Sequence, residues 1–241
     1  MSIASASFSV TTLEEEEDLI MTFQVVLIGT DGLLVCSDRK VAYRSPRENP
    51  GVPLDVQPEH GDKFLRSDTE EVVCFFAGGP QARAIALQII SLCSPDQKTK
   101  DWEASLRKAA DSVPANSLGD EVLVIRPKVG DVFLVTRTGR DTHLSPVSDY
   151  KCTGVVAKCR FLAVNFWRPA LVSQLRTLAC LLLHYAAKER PESVGYGFDM
   201  MTVRYGEVRW ERFVENDTRI EYLRQEFEGA VRNILGMATR S

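Results

Sequence analysis

TFQVVLIGTDGLLVCSDRK, residues 22–40, holds two β-rich runs, Phe23 to Ile28 and Leu33 to Ser37, joined by Gly29-Thr30-Asp31-Gly32. Glycine and aspartate at the centre of that joint suit the positive φ angles of a tight turn, so the stretch predicts a β-hairpin. Both runs are almost continuously apolar, which predicts a sheet covered on both faces rather than one washed by solvent. A threonine heads the first strand and an aspartate closes the second.

On the N-terminal side the character changes within one residue. Residues 1–20 are rich in Ser, Ala and Thr and then acidic through Glu14 to Asp18. That composition predicts a leader, residues 1–21, that is disordered or removed, ahead of a single domain over 22–241. On the C-terminal side, Ser45 to Gly61 carries Pro46, Pro50, Pro53 and Pro58 among charges and predicts a long surface loop. Glu71 to Phe76 predicts a strand ended by Ala77-Gly78-Gly79. Pro80 then opens a helix striped by Ala82, Ile85, Ala86, Ile89 and Cys93. A helix over about Trp102 to Asp111 follows, then a hairpin of Glu121 to Arg126 and Asp131 to Arg137, and a strand over Lys151 to Val156. The longest helix is expected over Pro169 to Lys188, striped by Leu171, Leu175, Leu178 and Leu182. Phe198 to Tyr205 and Glu207 to Phe213 predict a last hairpin, and Thr218 to Leu235 a C-terminal helix. Strands that arrive as hairpins, with helices between the groups, predict an α+β fold. Its natural packing is a four-layer αββα sandwich of two mainly antiparallel sheets between helical layers.

Composition excludes several function classes. With 29 Lys and Arg against 33 Asp and Glu the formal net charge is −4, without the excess of cations that general nucleic-acid binding needs. The six cysteines lie mostly in apolar runs with no CxxC pair, which predicts buried reduced thiols and a cytoplasmic location. Three isolated histidines form no metal-ligand pattern. The N-terminus lacks the basic start and apolar core of a secretory signal, and Leu178 to Ala187 is too short to span a bilayer, so neither membrane nor metal cofactor is expected.

Thr22, Asp31-Gly32, Asp38-Arg39, Lys63-Phe64 and Ala77-Gly78-Gly79 form an ordered set, with Asp38 sixteen residues after Thr22. This set resembles the β-type subunits of the proteasome and their bacterial homologues, the N-terminal-nucleophile hydrolases. The resemblance is strongest from Thr22 to about Cys93, and beyond that only the order of elements agrees, with a glycine turn at Gly195 and Gly197. It implies a threonine peptidase in which Thr22 is the nucleophile, Lys63 lies beside it, Asp38 holds Lys63, and the backbone N–H of Gly78 binds the oxyanion. It further implies a substrate pocket of Val41, Ala42, Gly61, Phe76 and Pro80, in which the bulk of Phe76 favours small or medium P1 side chains. Cys152-Thr153-Gly154 stands where the family carries a supporting Ser-Gly. Pro191 to Gly195 stands where it carries Asp-x-x-Ser-Gly and offers Ser193.

The implied chemistry suits these residues. A threonine hydroxyl is a weak nucleophile that needs an adjacent base. A free α-amine on Thr22, with an ordinary pKa of about 8, can act as one. The mechanism therefore requires Thr22 to begin the mature chain, by autocleavage after Met21 or by removal of Met21 as the true initiator. Glu14 to Glu17 are encoded by an uninterrupted purine tract three residues ahead of Met21, as a ribosome-binding site in a bacterial gene would be. By the same resemblance the partners are polypeptide substrates, further copies in stacked hexameric or heptameric rings, and a separate ATP-driven unfoldase, since no P-loop is present. Two other readings stay open: a non-catalytic structural subunit of the same fold, and an amidase of this class acting on a small molecule.

Overall fold

The computed structural model describes residues 22–41, 59–60, 62–79, 81–94, 96–115, 119–154, 157–191, 193–214, 217–219, 221–222 and 225. The expected leader, most of the proline loop and most of the expected C-terminal helix lie outside the described residues. So do the pocket positions Ala42, Gly61 and Pro80.

The opening hairpin forms as expected. Strand β1 (Phe23–Gly29) pairs antiparallel with β2 (Gly32–Asp38), in register from Gln24 opposite Ser37 to Gly29 opposite Gly32. Gly32 has φ +151°, and a Cβ there would stand 2.0 Å from the Val203 carbonyl oxygen, so only glycine lets the neighbouring strand approach. Between β2 and the next sheet come the short pair β3 (Lys40–Val41) and β4 (Glu59–His60), which brackets the proline loop, and then β5 (Phe64–Arg66).

Strand β6 (Val73–Gly78) leads into α1 (Ala82–Leu92) and α2 (Thr99–Asp111). A run of antiparallel strands follows: β7 (Asp120–Arg126), β8 (Asp131–Thr138) and β9 (Asp141–Pro146). Then come β10 (Tyr150–Gly154), α3 (Ala157–Phe166), α4 (Val172–Glu189), β11 (Phe198–Arg204) and β12 (Glu207–Phe213). Two five-stranded antiparallel sheets result, in the orders β10-β1-β2-β11-β12 and β5-β6-β7-β8-β9. The chain is α+β.

Alternation along the strands divides the core. Phe23, Val25, Leu27, Leu34 and Cys36 pack with α3 and α4. Val26, Leu33 and Val35 pack instead with Val73, Phe75, Leu123, Ile125 and Leu134 of the second sheet, so one cluster built from strands alone joins the two sheets. The other face of the second sheet, with Cys74, Phe76 and Val122, packs on Ile85, Ile89, Trp102 and Leu106 of α1 and α2. This is why β1, β2 and β6 read as unbroken apolar runs: each alternate residue meets a different core. The six cysteines are buried thiols, none in a disulfide.

Some elements escape the sequence pattern. In β9 only Thr142 is buried, so no alternating apolar signal marks it. In α3, Cys159 and Ala163 face the core while Phe161 and Val164 are exposed, and no helical stripe results. Helix α4 begins one turn later than expected, leaving Leu171 exposed ahead of it. Its start is set by Asp31 of the hairpin turn, whose Oδ1 accepts the Val172 N–H at 2.8 Å. No helix among the described residues is long and apolar enough to cross a membrane.

Candidate active site

The open end of the first hairpin, away from the Asp31 turn, pairs Asp38 with Lys63 next to the start of β1 that follows Thr22. Thr22 immediately precedes β1 and is buried, and its Oγ1 has no hydrogen-bond partner among the described residues. Asp38 closes β2 at 0% exposure, and Lys63 precedes β5 at 3%. Lys63 Nζ lies 3.0 Å from Asp38 Oδ1 and 2.9 Å from Oδ2. The same carboxylate accepts three backbone N–H groups. Phe23 donates to Oδ1 at 2.9 Å, and Lys40 and Gly195 donate to Oδ2 at 3.2 and 3.3 Å. Asp38 thus fixes the residue after Thr22 and the Lys63 ammonium with one carboxylate.

Burial dominates the electrostatics of this pair. It pushes the Asp38 carboxyl above the ordinary aspartate range, against the opposing pull of Lys63 and of the Phe23 and Gly195 N–H groups. It also pulls the Lys63 ammonium below the ordinary lysine range, against Asp38 and with a smaller push from Lys40. Burial therefore opposes the charged form of each partner, a pattern that clusters at functional sites.

Of the other expected site residues, Gly78 and Phe76 lie on β6 and Val41 on β3, and Ala42, Gly61 and Pro80 fall outside what is described. Gly78 ends β6 with φ +94°, and a Cβ there would stand 2.2 Å from the Gly119 carbonyl oxygen. Its positive φ turns the backbone out of the strand, and the next N–H, of Gly79, reaches Gly119 O at 2.9 Å. Phe76 is buried, and its ring packs on the side of β6 that faces α1. Val41 pairs with Glu59 through the β3–β4 backbone.

Gln24 and Glu121 escape the sequence reading, whereas Gly154, Gly195 and Ser193 are named in it. Gly154 has φ +85° and lies so close to Thr22 that a Cβ would stand 1.6 Å from the Thr22 carbonyl oxygen. Its N–H is bound by Glu121 Oε2 at 2.8 Å, across from the other sheet. Gln24, buried two residues after Thr22, spreads hydrogen bonds over both sheets. The 191–195 loop reaches Asp38 through the N–H of Gly195, while Ser193, expected as the supporting residue, is buried with its N–H on the Arg190 carbonyl. Outside the pair, buried Asp199 joins Arg39 at 3.3 Å and Arg212 at 2.8 Å, and Arg212 also reaches Asp62 at 2.7 Å. The neighbours of Asp38 and Lys63 in the chain are thereby tied into a second ion network. An unbroken apolar context around Gln24 was the one signal available: a lone amide in a core strand needs partners.

Neither a protein-family model nor a curated protein sequence matches the chain. Solved structures do. The Anbu (Gly-1) mutant from Hyphomicrobium sp. strain MC1 is similar with a TM-score of 0.65 and 16% identity, over 89% of this chain and 97% of that one. The Anbu (ancestral beta-subunit) from Yersinia bercovieri gives 0.62 and 14%, over 89% and 97%. The helical assembly of the Anbu complex from Pseudomonas aeruginosa gives 0.63 and 13%, over 90% and 96%. The chain has the fold of the Anbu structures.

That finding corrects the resemblance drawn from the sequence. The structural neighbours are Anbu proteins, proteasome-like relatives with the N-terminal-nucleophile type of architecture, and they form a family distinct from the proteasome β-type subunits. The physical reason is the nature of the motif. A DG turn, a strand-ending aspartate, a lysine and a glycine corner mark the hairpin and the sheet edge that such folds share, and they do not separate one family from another.

Proposed function

We propose that this chain is an Anbu-like threonine-type peptidase, acting as a subunit of a homo-oligomeric particle. One observation carries the reading: a buried lysine–aspartate pair is fastened through the Phe23 N–H to the residue beside a buried threonine whose hydroxyl is unpartnered among the described residues. A buried ion pair is poor evidence of stabilisation and better evidence of a function that needs it. Supporting it, the three core clusters suit a four-layer αββα stack, and the Anbu complex from Pseudomonas aeruginosa forms a helical assembly.

In the proposed reaction the domain begins at Thr22 and its α-amine is free. Thr22 Oγ attacks the peptide carbonyl while the amine takes the hydroxyl proton. The Lys63 ammonium favours the neutral amine and the developing alkoxide, and Asp38 holds Lys63 in place. The Gly78 N–H stabilises the oxyanion of the tetrahedral intermediate. Collapse leaves an ester on Thr22 and expels the amine half of the peptide with the transferred proton, and water then hydrolyses the ester. Val41, Ala42, Gly61, Phe76 and Pro80 form the substrate pocket in this reading. The particle is cytoplasmic and takes polypeptides fed by a separate unfoldase.

Hydrolysis of short fluorogenic peptides by the purified particle tests this, together with light-scattering mass. Turnover that disappears in Thr22→Ala, in a particle far larger than one chain, is the expected result. A monomer that cleaves small amides would favour the amidase reading. An assembled particle with a free Thr22 amine and no turnover would favour a structural subunit.

A further inference from the structure

One side chain of the site touches four other chain segments. Gln24 is fully buried and lies two residues after Thr22 on β1. Its Nε2 approaches Phe76 O at 2.8 Å, Ser37 Oγ at 3.2 Å and Lys63 O at 3.3 Å, and its Oε1 accepts the Thr153 hydroxyl at 3.3 Å. Phe76 stands two residues before Gly78, Ser37 one before Asp38, and Thr153 one before Gly154, which is packed against the Thr22 carbonyl. Ser37 Oγ passes the chain on by donating to Asp38 O at 3.3 Å. Phe76 N–H also donates to Lys63 O at 3.2 Å, so the Gln24 amide seals a junction where the two sheets already meet.

Its neighbours Phe23, Val25 and Val26 are apolar, so Gln24 is the one amide in an apolar run. A primary amide offers two donors and an acceptor in one rigid plane, enough to bind both sheets at once. Left unpaired in a core, it would cost more than it returns. Satisfied, it fixes the separation of the segments it joins.

We infer that Gln24 is a positioning residue for the proposed reaction, setting the Lys63 segment and the Gly78 end of β6 against Thr22. The inference rests on the threonine-peptidase reading and goes beyond it by assigning the cross-sheet alignment to one side chain. Misplacement of reacting groups by about 1 Å is enough to cost roughly 100-fold in rate.

The test is Gln24→Met, which keeps length and volume and removes every hydrogen bond. Acylation of Thr22 by a β-lactone is followed across pH in the assembled particle, with peptide kcat and KM and a thermal melt. The expected result is a fall of about 100-fold in acylation rate and kcat, with KM held and the pH midpoint displaced. A folded Gln24→Met with rate and pH profile like the native protein overturns the inference while leaving Thr22 as nucleophile. Absence of acylation in the native protein overturns both. If Gln24→Met does not fold, Ser37→Ala and Thr153→Val strip the two hydroxyl partners alone. Each is expected to lower kcat by about two- to tenfold, in line with one neutral hydrogen bond, and native kcat in both overturns the inference.

Discussion

The first hairpin carries an aspartate at each end, and the two are used in opposite ways. Asp31, at the turn, is half-buried. It accepts the Val172 N–H at the start of α4 and pairs with the Arg204 guanidinium at 2.7 Å. These contacts hold its carboxyl below the ordinary range, led by the Val172 hydrogen bond against a smaller cost of burial. Asp38, at the open end, has more donors, yet complete burial lifts its carboxyl above that range. Contact count does not decide the sign; desolvation does. At the turn the contacts favour the charged carboxylate, and at the open end burial opposes it.

The largest effect expected from breaking this contrast is at the buried end. Lys63→Met leaves Asp38 buried with no counter-charge, which costs about 3–5 kcal/mol in urea unfolding and abolishes peptide turnover. Adding Asp38→Asn removes the unpaired charge and should recover part of the stability, limited by an amide nitrogen set against a backbone N–H, and none of the turnover. Failure of the second change to restore stability would mean that the pair is structural.

Next comes Gly154→Ala. The new methyl must displace the Thr22 carbonyl and sit at a positive φ, costing about 1–3 kcal/mol and most of the acylation rate at Thr22. A crystal structure of the variant should show the start of β1 moved from the Asp38 carboxylate. An unmoved strand with native acylation would contradict the close packing described.

At the turn end, Asp31→Asn should lower the thermal midpoint modestly with activity retained, since it touches only the start of α4 and Arg204.

The smallest effects are in pH dependence, where the two ends differ in sign. Asp31 has its folded value below 3.8, so its contribution is complete above 3.8 and is lost as pH falls through the folded value. Asp38 has its folded value above 3.8, so the folded chain keeps that proton longer and stability declines as pH rises from 3.8 through the folded value. Urea midpoints measured across acid pH should show the first slope vanish in Asp31→Asn and the second in Asp38→Asn. Identical profiles for the two variants would erase the distinction.

How much of this was legible in the sequence follows from range. The hairpins β1–β2, β7–β8 and β11–β12 and the helices α1 and α4 are local patterns of apolar residues and turns, and they form as expected, with α4 starting one turn late. Strand β9 and helix α3 bury too few residues to leave such a pattern. Thr22, Asp38 and Lys63 were legible as an ordered set; the structure pairs Asp38 with Lys63 and ties Asp38 to the residue after Thr22. Glu121 was not, and Gly195 was legible only as a turn glycine, because their contacts arise from N–H groups and carboxylates brought together across 33 and 157 residues of chain. Family identity was the least legible, since the shared motif describes a site edge that related folds have in common.

The central claim is that Thr22 is a nucleophile with a free α-amine beside the Lys63–Asp38 pair. A peptidyl epoxyketone tests both groups at once, because Oγ adds to the ketone and the amine opens the epoxide to close a ring through both atoms. Treatment of the native particle followed by peptide mapping should give that ring adduct on a peptide beginning at Thr22, absent in Thr22→Ala. A native particle that begins at Thr22 and carries no adduct there would contradict the account.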